Sequence, residues 1–161
     1  HDFDLALWMS GASGNAKVFA MGAALIDPVI GELGDTDSAH VLIELETGAF
    51  CKIECSRRSN YGYDQRVEVF GASGMVSSNN LHTSAIDRWT MRGTGIRSML
   101  QPDFMKRYLP CYATELSVFI DAIENGTPIE PNFVAGRRAL QLAEAAHQSK
   151  MSGLSVDVNL A

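Results

Sequence analysis

The sequence predicts an α+β fold in which helices are stacked on one face of an antiparallel sheet. Three observations predict it. Apolar residues recur at period two through Val41, Ile43 and Leu45, through Cys51, Ile53 and Cys55, and again at Val67 and Val69, as half-buried strands require. Late in the chain the period lengthens, and Leu116, Phe119, Ile120 and Ile123 mark one face of a helix. Phe3, Leu7 and Trp8, at i, i+4 and i+5, open the chain with another amphipathic helix. Strands bracketed by helices bury both by laying the helices on the sheet.

In order, the chain reads as a helix at 2–10, a strand at 16–25 and a Pro- and Gly-bearing loop over 27–37. Strands follow at 38–46 and 49–56, with Thr47-Gly48 as the tight turn between them. Further strands are expected at 64–71, 74–78 and 84–91. Pro110 fits a helix start better than a helix interior, so the next helix is expected to begin there and to end at Asn125-Gly126. A last helix spans 133–151, with Asn132 as N-cap and Gly153 beyond its end, and 155–158 returns as a strand. With 161 residues and 46% apolar content the chain reads as one domain, 1–161. The first helix begins without a capping residue or lead-in, which reads as a domain truncated at its N-terminus.

Composition excludes several function classes. Thirteen basic against nineteen acidic residues give a net charge of −6, with no basic block beyond Arg57-Arg58 and Arg137-Arg138, so no nucleic acid is expected as a partner. The apolar stretch from Val18 to Ile26 is interrupted by Gly22 and is far shorter than the roughly 20 residues a membrane helix needs. No membrane role is expected, and a cytoplasmic location follows by default. Cys51 and Cys55 are separated by roughly 13 Å of extended chain at about 3.3 Å per residue and cannot bridge. With Cys111 the count is odd, and all three read as reduced. His1, His40, His82 and His147 show no metal-ligand spacing.

The most conspicuous segment is Ser56-Arg57-Arg58-Ser59-Asn60-Tyr61-Gly62-Tyr63-Asp64-Gln65-Arg66, polar, aromatic and charged between two strand-like stretches. As a hairpin connection at a sheet end it is long, and its phenols, carboxylate, amides and guanidiniums suit a small polyhydroxylated ligand. The alternative is a solvated loop whose charges pair with one another. At the other end, His1 and Asp4 lie three apart, a spacing that lets an imidazole and a carboxylate reach one ligand. The alternatives there are a tag remnant for His1 and, for Asp4, a first-turn carboxylate favoured by the helix dipole. For Tyr63 the alternative is a rim aromatic packed on the sheet. Gly11-Ala12-Ser13-Gly14, Gly71-Ala72-Ser73-Gly74 and Gly93-Thr94-Gly95 read as turns, because none follows a buried strand and opens a helix with an acidic residue about 20 positions on.

His1-Asp2-Phe3-Asp4 through Trp8 resembles the C-terminal domain of the Gfo/Idh/MocA oxidoreductases, and in particular its inositol-oxidising members. So do Asp27-Pro28-Val29-Ile30-Gly31-Glu32 with Gly34-Asp35-Thr36-Asp37, Ser56-Arg57-Arg58, Tyr61-Gly62-Tyr63-Asp64-Gln65-Arg66-Val67-Glu68-Val69-Phe70-Gly71, and Gly136-Arg137-Arg138-Ala139-Leu140. The resemblance covers essentially the whole chain. Ala135, where the family commonly has an Asp, and Pro110 depart from the pattern without touching the resembling site segments. The resemblance implies a large open sheet with helices on one face, and a Rossmann domain absent from these residues. It implies oxidation of a ring hydroxyl of myo-inositol, or a related cyclic polyol, to a ketone, with NAD as cofactor of the full-length enzyme and the fragment alone inactive. His1 is then the catalytic base, Asp4 and Tyr63 bind substrate, and Tyr61 and Arg66 are weaker candidates. An Asp four positions before His1 and the lysine of a Glu-Lys-Pro motif would precede residue 1. A homodimer or homotetramer is implied through the sheet face that Leu42 and Phe50 would line. The alternatives are a scyllo-inositol or other cyclic polyol or sugar dehydrogenase of the same superfamily, and a non-catalytic oligomerisation and sugar-binding module.

Overall fold

Each run of alternating apolar residues forms a strand, and each capped run of helical spacing forms a helix. The computed structural model describes all 161 residues. In chain order the elements are α1 (Asp2–Ser10), β1 (Asn15–Ala23), α2 (Pro28–Glu32), β2 (Ser38–Leu45), β3 (Phe50–Ser56), β4 (Val67–Gly71), β5 (Gly74–Ser78), β6 (Asp87–Thr90), β7 (Gly93–Arg97), α3 (Phe104–Asn125), α4 (Phe133–Ser152) and β8 (Val156–Asn159). They fall into two units, His1–Arg58 with Glu130–Ala161, and Ser59–Ile129.

The first unit holds an antiparallel sheet in the order β3-β2-β1-β8. Its register sets Val18 opposite Ile43 and Val41 opposite both Ala20 and Ile53, so one face is apolar from edge to edge. α4 lies on that face through Leu142, Ala145, Ala146 and Ser149, which recur at i, i+3, i+4 and i+7. α1 packs beside α4 and buries Leu7, with Phe3 partly covered. Trp8 was expected on the same face, but it turns outward and is 74% exposed, because a nine-residue helix lying beside α4 has room for only a narrow apolar stripe. Val18, Ile43, Leu142 and Leu160 are the most deeply buried apolar residues.

The two buried polar residues of this unit, Ser149 and Asp37, are matched by hydrogen bonds. Ser149 Oγ accepts from Ala20 N at 2.9 Å and donates to Leu154 O at 2.7 Å, so its burial leaves no unpaired hydroxyl. Asp37 accepts from the amides of Leu25, Ile26 and Asp27 at 2.8 to 2.9 Å and from the Ser38 hydroxyl at 3.0 Å. Burial pushes its pKa up, but these donors outweigh burial and bring it from 3.8 down to about 2. The segment 27–37, expected to be a loop throughout, contains α2; Asp27 caps it by accepting from Val29 N. Asn132 caps α4 by accepting from Val134 N and Ala135 N, and Gly153, at φ 71°, ends it. The opposite sheet face carries Leu42 and Phe50, 54% and 82% exposed, among Lys17, Glu44 and Lys52.

The second unit consists of two hairpins, β4-β5 and β6-β7, followed by α3. The strand expected at 64–71 begins at Val67, and the one expected at 84–91 is confined to Asp87–Thr90. β7 was not anticipated: Gly93-Thr94-Gly95, read as a turn, lies within it. Backbone pairing with β6 carries that strand where glycine offers no side-chain preference for one. α3 starts at Phe104 rather than at Pro110, because Asp103 Oδ1 accepts from Lys106 N at 2.9 Å and caps it there. Pro110 sits inside the helix, where its missing N–H removes one intrahelical bond without ending it. Nor is Ser56–Arg66 a hairpin connection: β3 pairs with β2 and β4 with β5, so the segment leads from one unit into the other.

Candidate functional site

At the start of the first unit, His1 occupies the N-cap position of α1. Its carbonyl accepts from Leu5 N at 2.9 Å, while its side chain caps nothing. The imidazole is exposed, and Asp4, one turn on, is half-buried. Asp2 and Asp4 both lie in the first turn, where the positive end of the helix dipole favours carboxylates. Asp2 Oδ2 accepts from Cys55 Sγ at 3.6 Å, which sets the beginning of α1 beside the end of β3. Burial and then the charge of Asp2 raise the pKa of both Cys51 and Cys55, the opposite of what a nucleophilic thiol requires. The chemistry available here is proton acceptance by an imidazole and hydrogen-bond acceptance by a neighbouring carboxylate.

In the second unit the segment Ser59–Arg66 is fixed at almost every residue. Gly62 has φ 119°, and a Cβ there would lie 2.7 Å from Leu100 Cβ and 3.0 Å from Gln101 O, so only glycine fits. Tyr63 N donates to Gln101 O at 2.8 Å, and the Tyr63 ring meets Tyr108 edge-on with centroids 5.8 Å apart. Asp64 accepts from Arg66 Nε at 2.8 Å and Nη2 at 3.1 Å, from Asn80 Nδ2 at 2.7 Å, and from the Tyr61 hydroxyl. Asn80 Oδ1 in turn accepts from Gln65 N at 2.7 Å. Burial raises the Asp64 pKa, but Tyr61, Arg66 and Asn80 bring it below the ordinary carboxylate value. Burial and a hydrogen bond with Tyr63 push Tyr108 up to about 12, against the lowering influence of Arg107 and Gln65.

His1 and Asp4 therefore share one turn of α1 in the first unit, and Tyr63 belongs to the second. Tyr61 and Arg66 are turned onto Asp64, so polar and charged groups of this segment pair with one another. Sequence reasoning missed Asn80, Gln101 and Tyr108, which hold the segment from 15 to 45 residues away. The one local signal was the aromatic repeat Tyr108 and Tyr112, four apart on α3, whose rings lie 6.4 Å from each other. No group of three or more His, Cys, Asp or Glu side chains is arranged to hold a metal ion. The glycine-rich spots do not fit a dinucleotide: Gly11 ends a helix, Gly71 and Gly74 close a hairpin, and Gly93 and Gly95 lie in a strand. No helix is long and apolar enough to cross a membrane.

Comparison with known proteins gives a consistent picture. Residues 1–77 match the family model of the GFO/IDH/MocA C-terminal domain. An inositol 2-dehydrogenase of Rhizobium meliloti is 43% identical over 149 residues, covering 92% of this chain and 44% of its own length. A myo-inositol 2-dehydrogenase of Thermotoga maritima is 38% identical, with 92% of this chain and 44% of that protein covered. The crystal structure of a myo-inositol dehydrogenase from Corynebacterium glutamicum superposes with a TM-score of 0.91 at 33% identity, over 100% of this chain and 48% of that one. The chain thus spans less than half the length of the curated relatives it matches.

Proposed function

From the premise that this chain belongs to the Gfo/Idh/MocA oxidoreductase family, as a C-terminal domain, we propose that it is the substrate domain of an NAD-dependent inositol 2-dehydrogenase. The observation that carries the proposal is the placement of His1 and Asp4 within the first turn of α1, in a chain 43% identical to an inositol 2-dehydrogenase. The reaction takes a ring hydroxyl of myo-inositol to a ketone. The carbon releases hydride only as its hydroxyl proton leaves, and an imidazole, with an ordinary pKa near 6.5, accepts that proton near neutral pH. We assign this to His1. Asp4 accepts hydrogen bonds from neighbouring ring hydroxyls, and Tyr63 exchanges one with a further hydroxyl. NAD supplies the hydride acceptor, and no residue of this chain is assigned to holding it.

We further propose that the sheet face bearing Leu42 and Phe50 is covered by a second copy in a homodimer or homotetramer, and that the enzyme works in the cytoplasm. Sedimentation equilibrium tests the assembly: a strict monomer across the micromolar range would leave that face solvated. The activity is tested by following NADH formation by the enzyme that carries this chain. Oxidation of myo-inositol is expected. Turnover confined to scyllo-inositol would move the assignment to that sister activity, and absence of turnover with any cyclic polyol or sugar would overturn the dehydrogenase reading.

A further inference from the structure

We propose that Asp64 is a positioning residue, the anionic node that sets Tyr63 for its contact with substrate and so tunes affinity without touching the substrate itself. The inference rests on the reading of Tyr63 as a substrate contact. It starts from an asymmetry: the Asp64 side chain is 14% exposed, whereas its partner Arg66 is 65% exposed. A surface ion pair would leave both groups in water and contribute little. Here the carboxylate is withdrawn and takes four hydrogen bonds, from Tyr61, Asn80 and both ends of the Arg66 guanidinium edge. The Arg66 contact is bidentate, which fixes direction as well as distance.

Those partners lie on both sides of Tyr63. Tyr61 precedes it by two residues, Arg66 follows by three, and Asn80, at the far end of the β4-β5 hairpin, also accepts from the Gln65 amide at 2.7 Å. Gly62, pressed against Leu100, and Tyr63 N, bonded to Gln101 O, fix the backbone in between. The Tyr63 ring meets Tyr108 edge-on, and the residues on either side of Tyr63 are held by contacts that converge on Asp64. Aliphatic burial by the segment itself does not supply this order, since no residue from Ser59 to Arg66 is aliphatic. A side chain ordered before binding loses less freedom when substrate arrives, so removing the node should weaken affinity and leave the chemical step nearly intact.

The test is steady-state kinetics with myo-inositol at saturating NAD in the enzyme that carries this chain, comparing wild type, Asp64→Asn, Tyr63→Phe and the double variant. Asp64→Asn should raise KM about fivefold with kcat held within about twofold, and in the Tyr63→Phe background it should add less than about twofold. Asn80→Ala, which leaves the charge and the Arg66 pair in place, should move KM in the same direction and serves if Asp64→Asn does not fold. If Tyr63→Phe raises KM while Asp64→Asn and Asn80→Ala leave it unchanged, the positioning role is overturned and the Tyr63 reading stands. An equal KM increase in both backgrounds would show Asp64 acting independently of Tyr63 and overturn the inference. An unchanged KM in Tyr63→Phe would remove the substrate reading itself, and this inference with it.

Discussion

Of the two units, the first is built by burial and the second by hydrogen bonding. Every buried apolar residue except Ala122 lies in the first, where Val18, Ile43, Leu142 and Leu160 form a continuous core. The second carries Phe70, Trp89, Leu116, Phe119 and Ile123 all substantially exposed, and is organised by two hairpins, a capped helix and the Asp64 network. Isolated hairpins are marginally stable in water, and a large exposed apolar surface invites cover. The contrast teaches that the candidate residues of the two units are held by different forces: His1 and Asp4 ride on a helix packed against a core, Tyr63 on a segment pinned by polar contacts.

If that contrast is right, matched truncations should differ most. Leu142→Ala opens a cavity in the first unit and should cost about 2 to 5 kcal/mol, whereas Leu116→Ala in the second should stay within about 0.5 kcal/mol; urea unfolding measures both. Equal costs would mean that the second unit has a core of its own. The two tryptophans, Trp8 and Trp89, fall one in each unit, so variants keeping only one of them should report separate transitions, with Trp89 responding at lower urea.

The chemical roles sharpen the comparison further. In the enzyme that carries this chain, His1→Ala should lower kcat by about 10²-fold or more, with a smaller effect on substrate binding. Asp4→Asn should fall between that and Tyr63→Phe. Near-normal turnover without the imidazole would take His1 out of the chemistry.

Acid should act on the first unit through Asp37. Its folded pKa is depressed from 3.8 to about 2, so its stabilising contribution is complete above pH about 4 and is lost as pH falls toward about 2. Asp37→Asn should flatten the stability profile of the Trp8-reported transition over that window; an unchanged profile would exclude this carboxylate as its source. Among the His1, Asp4 and Tyr63 variants the smallest kinetic effect is expected at Tyr63→Phe, which removes one hydrogen bond worth about 1 kcal/mol and should appear chiefly in KM.

The sequence by itself determined most of the first unit. Period-two runs located β2 and β3, and Asn132 and Gly153 marked the ends of α4, because in a unit held by burial the buried side chains carry the pattern. It also supplied the candidates for the proposed chemistry, since His1, Asp4 and Tyr63 sit in motifs that resemble one family along the whole chain. What only the tertiary structure decided lies where backbone pairing and distant polar contacts replace burial. β7 exists because β6 pairs with it across two glycines, α3 begins six residues before Pro110 because Asp103 caps it, and Trp8 faces outward because α1 lies beside α4. The Asp64 network belongs to the same class: its Asn80 partner is 16 residues away, and Tyr63 meets Gln101 38 residues on. Hydrogen-bond partners that far apart leave no period in the sequence, so their meeting is fixed only once the strands have chosen which neighbours to pair with.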